Sequence, residues 1–381
     1  MGYDVIVVGA GPAGASAAYW LGQAGRRLLV LEKEALPRYK ACGGGVPKSV
    51  LDRFPFSLSS VVEQWIRRVR LRFRDGREIE ADIPDRSVAM VMRDRFDLHI
   101  LNHAQAEVHD RSPVTMVRQD EDGVEVSTAS GEDFRARYLI GADGANSRVA
   151  RLVGLRRERW KGGAIEAEVP VGDELLKTYR NTALFIFGTP PGGYLWVFPK
   201  TVNLSVGIGI VLGRADYPHM RRLLRREMSR LGIEVDATRP QGHPLPIYLQ
   251  REPLRQGRVL LAGDAARLVD PLLGEGIRHA VDSGRVAAES VLTGNLQRYT
   301  ERVDREIGRD LLWGQRWARL FYKYPRRSFE LGVRNPRIIK EFLHLFAGTT
   351  SYRRMATRAL PDLLLGLGQR TEAKRRTYTD Q

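Results

Sequence analysis

Unbroken apolar runs are short in this chain, and two of them lead straight into glycine turns. The first, in "YDVIVVGAG", predicts a strand buried on both faces of a parallel sheet. Small and apolar residues then continue at helical spacing to about Gln23, and "RRLLVLEKE" follows as a second strand. The N-terminus therefore predicts a β-α-β unit. Residues 36–48, "LPRYKACGGGVPK", carry Pro near both ends and three glycines in a row, and read as a loop. Alternation in "VRLRFRDGREIEADI", residues 69–83, flanks Asp75-Gly76 and predicts a hairpin. Residues 93–108, "RDRFDLHILNHAQAEV", predict a helix. Residues 114–140 predict strands turning at Asp122-Gly123 and Ser130-Gly131 and leading into "YLIGADG". Between 164 and 212 four more β segments follow: "GAIEAEVPV", "TALFIFG", "GGYLWVFPK" and "NLSVGIGIVL". "GRVLLAGDAA", 257–266, is again a strand into a glycine turn, with a helix from about 274 to 292. Beyond 295 the pattern is helical, with aromatics spaced through it. The order predicts an α/β nucleotide-binding domain assembled from separate segments, an inserted antiparallel sheet, and a helical tail.

Composition narrows the setting. A chain of 381 residues with 43% hydrophobic and 28% charged residues reads as soluble and globular, with ample length for a core. Its one cysteine, Cys42, excludes an intrachain disulfide, and the seven histidines show no zinc spacing. We expect a reducing, cytoplasmic setting and no metal. No apolar run reaches the length of a bilayer span, and the N-terminus enters a strand directly without a signal-peptide pattern. The net charge of +16 is uneven, because residues 301–381 hold 18 Lys/Arg against nine Asp/Glu. A second basic cluster is "HMRRLLRREMSRLG", residues 219–232. Such charge suits either an anionic partner surface or a solvated face in an Arg-rich chain. No nucleic-acid-binding motif accompanies it.

The opening loop carries the first chemistry. Gly9, Gly11 and Gly14 form GxGxxG between strand and helix, with Pro12 and Ala13 beginning the helix. This spacing permits the tight turn, close approach to a pyrophosphate, and close helix–strand packing. The helix N-terminus offers unpaired N–H groups and a positive dipole end to phosphates. Glu32, followed by Lys33, ends the second strand 18 residues after Gly14, where an acid accepts from ribose hydroxyls. That favours FAD or NAD over NADP.

Two further segments separate these. "RYLIGADGANSRVAR", 137–151, and "RVLLAGDAARLVDPLLGEGI", 258–277, resemble the second and third fingerprints of flavoprotein monooxygenases and their relatives. The resemblance implies FAD, with Asp264 reaching its ribityl chain or ribose and Asp143 and Gly144 shaping the loop near the pyrophosphate. Gly274, Gly276 and Ile277 would start a helix facing the flavin N1–C2=O edge. Arg93, in "RDRFD", matches that group's flavin-contacting Arg. "PRYKACGGGVPK" and "YLWVFPKTVNLSVGIG", 194–209, narrow the group further, because together they resemble the geranylgeranyl reductase family. The likeness runs from residue 1 to about 290; the tail beyond 300 carries no matching motif.

Membership would imply a p-hydroxybenzoate hydroxylase-like fold. Residues 1–68, 93–155 and 257–298 would form the Rossmann-like FAD-binding domain. Residues 69–92 and 156–256 would form the β-sheet substrate domain, and 299–381 a C-terminal helical segment. The implied reaction saturates C=C bonds of a geranylgeranyl or polyprenyl chain with a hydride from N5 of reduced FAD. The implied substrates are geranylgeranyl-chlorophyll or its diphosphate precursor, archaeal-type lipids, or menaquinone. NADPH or ferredoxin would be the reductant, and no second nucleotide fingerprint is visible. Tyr194, Trp196 and Phe198 alternate on one strand and share a face, which suits an isoprenoid tunnel. The resemblance places Cys42, with Ala41, Gly43 and Gly45, at the flavin ring. Either Cys42 or a bound water would supply the proton. An aromatic monooxygenase or halogenase shares the FAD segments. A halogenase would carry Trp-x-Trp-x-Ile-Pro where this chain has Tyr194 and Phe198. The aromatic and basic segment 312–329 suits either peripheral contact with an anionic membrane or a helix packed on the domain. The oligomeric state is open.

Overall fold

A computed structural model of the chain describes residues 2–155, 162–235 and 238–364. The first sheet is built around the strand Tyr3–Val8, in which Val5 to Val8 are all buried, as the unbroken apolar run requires. It pairs in parallel with Leu28–Leu31 and with Asp133–Gly141, and Glu107–His109 and Val259–Leu261 flank these. Val114–Gln119 and Val124–Thr128 extend Asp133–Gly141 as an antiparallel meander. Helix Pro12–Gln23 follows the first strand and packs on helix Ile277–Leu292. Small residues make that contact: Ala13 and Ala17 lie against Gly284. Two serine bonds lock the register, Ser16 Oγ donating to Val281 O and Gly263 N–H donating to Ser283 Oγ, both at 2.9 Å.

The second sheet has seven strands. Their order is Gln241–Leu245, Gly162–Pro170, Asn203–Ile210, Gly193–Pro199, Thr182–Phe187, Arg68–Phe73 and Glu78–Asp82. The last two are the expected hairpin. Period-two patterning sorts the side chains. Ile165, Ala167, Leu195, Val197, Val206 and Ile208 pack on one face with Met220, Leu224 and Met228 of helix Tyr217–Ser229. Phe185, Phe187, Tyr194, Trp196 and Phe198 occupy the other face. Trp196 lies across the neighbouring strand at Gly207, where a Cβ would overlap the six-membered ring. The glycine in "SVGIGI" is therefore a requirement set by the tryptophan.

A third sheet, Gly45–Pro47, Val88–Val91 and Val62–Ile66, joins the two larger ones. The hydrophobic pattern did not foresee it. Residues 36–48, expected as loop, end in the strand Gly45–Pro47 and the helix Lys48–Leu51. A three-residue strand is too short to show alternation, and its partner lies more than 40 residues away. Val88–Val91 accordingly pairs here and not within the seven-stranded sheet. The helix expected over 93–108 spans Arg93–Asn102, because Glu107–His109 is drawn into parallel pairing with Leu29–Leu31. The helix expected from about 274 starts at Ile277.

The tail is helical, in Tyr299–Val303, Arg309–Lys323, Pro325–Arg334, Pro336–Phe346 and Tyr352–Leu364. Residues 365–381 of the predicted segment lie outside the described residues. Among the described residues no helix is long and apolar enough to cross a membrane. Gly207→Ala forces the Trp196 ring off its strand, an overpacking cost of about 1–3 kcal/mol. Thermal unfolding should show a midpoint several degrees lower; an unchanged midpoint would refute this packing account.

Candidate functional site

A cavity of about 940 Å³ opens between the first and second sheets. Every residue singled out from the sequence lines it except Gly14, which packs against Gly9 of the preceding turn. Two helices begin at the cavity. Pro12–Gln23 is capped by Gly11 and Ile277–Leu292 by Gly276, and neither cap supplies a side-chain bond. The positive dipole ends of both helices face the cavity; at the second, the Arg278 N–H is taken by Glu275 Oε1 at 3.0 Å.

A chain of charges leads from the glycine loop to Cys42. Glu32 Oε2 accepts from the Ala10 N–H at 2.8 Å and pairs with Arg38 Nε at 3.1 Å. Arg38 reaches on to Asp97 at 3.5 Å, and Asp97 takes two bonds of 2.8 Å from Arg93. Arg93 is buried, and burial works against its charge. Asp97 and a hydrogen bond to Cys42 more than restore it, leaving the guanidinium firmly protonated. Arg93 thus faces the thiol from the end of the third sheet's central strand, where Val88–Val91 runs into its helix. Lys33 points outward at the mouth and pairs with Glu34 at 3.6 Å.

The two aspartates differ. Asp143 Oδ2 accepts the N–H groups of Arg148 and Val149 at 2.7 and 3.0 Å, while its buried Oδ1 has no partner. Burial raises its pKa. Burial also pushes Asp264 up, but His243, Lys40 and Arg93 outweigh it and hold that carboxyl below its ordinary range. The turn before helix Ile277–Leu292 is strapped from three sides. Asp270 Oδ1 takes the Leu272 and Leu273 N–H groups at 2.8 and 2.7 Å and the Tyr352 hydroxyl at 2.8 Å. Tyr322 donates to Leu272 O at 2.9 Å, and Tyr194 donates to Leu273 O. Tyr194 therefore ties the aromatic strand to this turn.

Cys42 sits where the layers meet. Its Sγ accepts from the Gly44 N–H at 3.4 Å. A Cβ on Gly43 would meet Phe198 ring carbons at 2.9 Å and Trp196 Nε1 at 3.1 Å, so the loop lies directly on the aromatic face. Gly44 has φ +69°, and a Cβ there would overlap Val91 O. Behind the loop, Lys200 is fully buried and donates to Gly43 O and Val91 O, both at 2.8 Å. Burial lowers its pKa, against the pull of Glu168, Cys42 and Glu166. Glu166 and Glu168 lie two residues apart on one face of the strand Gly162–Pro170. Burial pushes Glu168 up to about 8 and raises Glu166 too. Ser205 and Tyr39 donate to Glu166, and Asn203 to Glu168. The tail completes the enclosure: Leu345 and Phe346 line the cavity, with Phe346 edge-on to Phe185 at 5.3 Å.

Sequence reasoning missed Arg38, Lys40, Glu166, His243 and Lys200. Three lay inside quoted motifs, Arg38 and Lys40 four and two residues before Cys42 and Lys200 directly after "YLWVFP". A lone cation carries no periodic signal; only its burial marks it. The cavity fits FAD on its own features: the uncapped N-terminus of helix Pro12–Gln23, an orphaned buried carboxylate oxygen, and open space beside Gly11, where a Cβ would meet only Arg38.

The inserted sheet, expected to be antiparallel, is mixed, because Thr182–Phe187 pairs with Arg68–Phe73 in parallel while its other neighbours are antiparallel. This parallel-sheet domain, with the inserted sheet closing one cradle, defines an FAD-dependent oxidoreductase. The family model for lycopene cyclase protein matches residues 4–171. The menaquinone reductase of Mycobacterium tuberculosis is 32% identical over 352 residues, covering 85% of each chain. The geranylgeranyl diphosphate reductase of Rhodobacter capsulatus is 32% identical over 308 residues, 77% of this chain and 75% of that one. A geranylgeranyl bacteriochlorophyll reductase-like protein from Thermoplasma acidophilum shares the fold, with a TM-score of 0.76 at 23% identity over 94% of this chain and 98% of that one. The chain belongs to the geranylgeranyl reductase family.

Lys40 yields a pH prediction. Burial lowers its pKa to about 8. A lysine whose folded pKa lies below its unfolded value costs stability while charged. The unfolded chain holds the extra proton between about pH 8 and about pH 10.5, so stability rises with pH across that window. Apoprotein Lys40→Met should unfold at a higher temperature than the parent near neutral pH, with the gap closing toward the alkaline end. Equal midpoints at neutral pH would refute it.

Proposed function

We propose that this protein saturates C=C bonds of a geranylgeranyl or longer polyprenyl chain, carried by a diphosphate, a chlorophyll, an archaeal-type glycerolipid or a menaquinone. The observation that carries the reading is the wall opposite the FAD cradle. Phe185, Tyr194, Trp196 and Phe198, closed over by Phe346, make an aromatic chamber with a single thiol at its floor. Such a chamber binds hydrocarbon by area and shape and brings an alkene against Cys42.

The glycine loop and the helix starting at Pro12 would hold the FAD pyrophosphate, with Glu32 and Asp264 toward its hydroxyls. The turn Gly274–Ile277 would face its ring, and Arg93 the side nearest Cys42. Bound and reduced, FAD supplies a hydride to one alkene carbon. Cys42 gives its proton to the other carbon and is left as thiolate beside Arg93, whose charge favours that product. The thiolate regains a proton from solvent before the next turnover. The aromatic wall and the C-terminal helices exclude bulk water while this happens. NADPH or ferredoxin would reduce the flavin, and anaerobic bleaching of the bound flavin by each in turn tells them apart.

Purified holoprotein, reduced without oxygen and given each prenyl class, should yield products heavier by two hydrogens per bond saturated. No mass gain with any class, together with rapid oxygen uptake on small phenols, would replace this reading by a monooxygenase. Cys42→Ala should lower kcat by about 100-fold or more, within the usual range for losing a positioned acid. A retained rate assigns the proton to water.

The substrate's insolubility makes the outer surface relevant. Leu320, Tyr324 and Leu331 are exposed by 51%, 45% and 42% along the helices Arg309–Lys323 and Pro325–Arg334. Arg316, Arg319, Lys323, Arg327 and Arg334 are exposed among them. Apolar side chains set among cations suit the headgroup region of an anionic bilayer, which would deliver the lipid. The protein should co-sediment with phosphatidylglycerol vesicles and not with phosphatidylcholine, and Leu320→Glu/Leu331→Glu should abolish binding. Equal binding to both vesicle types would refute the electrostatic part.

A further inference from the structure

Lys200 is the largest cost in the site that the reaction itself does not use. It is a fully buried ammonium at the end of the aromatic strand. Burying an amine is unfavourable unless its donors are satisfied, and here two of them go to backbone carbonyls chosen from distant parts of the chain. Gly43 follows Cys42 directly. Val91 stands two residues before Arg93. The same ammonium therefore grips both segments that bring thiol and guanidinium together. Its own position is fixed in turn: the Lys200 backbone N–H donates to Asn203 O at 2.9 Å, and Gln64 Nε2 donates to Lys200 O at 2.6 Å. Gly44 holds the loop closed by bonding Val91, its carbonyl accepting the Val91 N–H at 2.9 Å.

We propose that Lys200 is the positioning residue of the Cys42–Arg93 pair: its ammonium staples Gly43 to Val91 and so sets the thiol against the guanidinium and against the alkene. Glu168 and Glu166 supply its counter-charge. This rests on the reading of Cys42 as the proton donor, and it adds a requirement that reading does not contain. Lys200 touches neither cofactor nor substrate, so its loss should leave binding intact and impair the step that needs Cys42 in place.

The test uses holoprotein Lys200→Met, which fills the space without donors; Lys200→Gln, which keeps an N–H₂ but no charge, serves if the first does not fold. With FAD content and KM near parental values, kcat should fall by about 10- to 100-fold, the size of effect expected when a positioned acid is displaced. In the Cys42→Ala background the same change should cost nothing further, because both act through one group. Losses that multiply would overturn the proposal, as would a rise in KM with kcat unchanged. A second readout is independent of turnover. Cys42 is the only thiol in the chain, so iodoacetamide labels it alone. Alkylation reads how the loop presents Cys42 to the reagent, so the labelling rate of Lys200→Met should differ from the parent's by about fivefold or more. An unchanged labelling rate overturns the assignment. Should Cys42→Ala by itself retain the parental rate, the donor reading fails separately, and the labelling rate alone then decides whether Lys200 governs the thiol.

Discussion

The close approach of the Cys42–Gly44 loop to the rings of Trp196 and Phe198 is the constraint around which the site is arranged. Aromatic carbons stand where a Cβ of Gly43 would be, and Val91 O stands where a Cβ of Gly44 would be. The loop is thereby clamped between the aromatic face of one sheet and the edge of another. Neither layer can shift without moving the only thiol. The same aromatic face dictates glycine again on its far side, at Gly207 under the Trp196 ring. Two glycines in two distant motifs, Gly43 and Gly207, thus answer to one pair of rings, which is why those motifs occur together.

Charge connects this clamp to the nucleotide end. Glu32, Arg38, Asp97 and Arg93 form a continuous series from the turn after the first strand to Cys42. Isolated buried ion pairs contribute little, because desolvation cancels attraction. A series in which each carboxylate serves two partners spreads that cost and also fixes distance. A group bound at the glycine loop would be held in a defined relation to the thiol, because the ends of the series are the Ala10 N–H and the Cys42 sulfur. Glu32 has a structural duty here in addition to the expected one toward a ribose.

Legibility in the sequence followed the range of the forces involved. The β-α-β start, the meander, the hairpin and the four strands of 164–212 are local patterns of period 2 or 3.6, and they lie where the pattern puts them. The third sheet was invisible because a three-residue strand has no period and its partner is remote. The helix after Arg93 was overread because parallel pairing at Glu107–His109 overrides local propensity. Site residues that belong to glycine or aromatic motifs were legible as motifs. Lys200 and Lys40 stood within the same quoted stretches and carried no signal, since what distinguishes a buried lysine is its surroundings. The tail carried no motif at all, yet Leu345 and Phe346 close the cavity. Closing an apolar space demands only bulk and shape, which many sequences satisfy.

The acids behind the aromatic wall complete the argument. Two buried carboxylates beside a hydrocarbon chamber would ordinarily be unfavourable, and two full charges would also disturb a thiol nearby. Burial answers this by favouring their protonated forms, with Glu168 raised to about 8. Lys200 pulls the other way on both. Their oxygens accept from Ser205, Asn203 and Tyr39, so these acids are held by the protein itself. An apolar chain therefore meets an aromatic wall whose neighbouring acids are already bonded, with the Cys42 thiol at its floor.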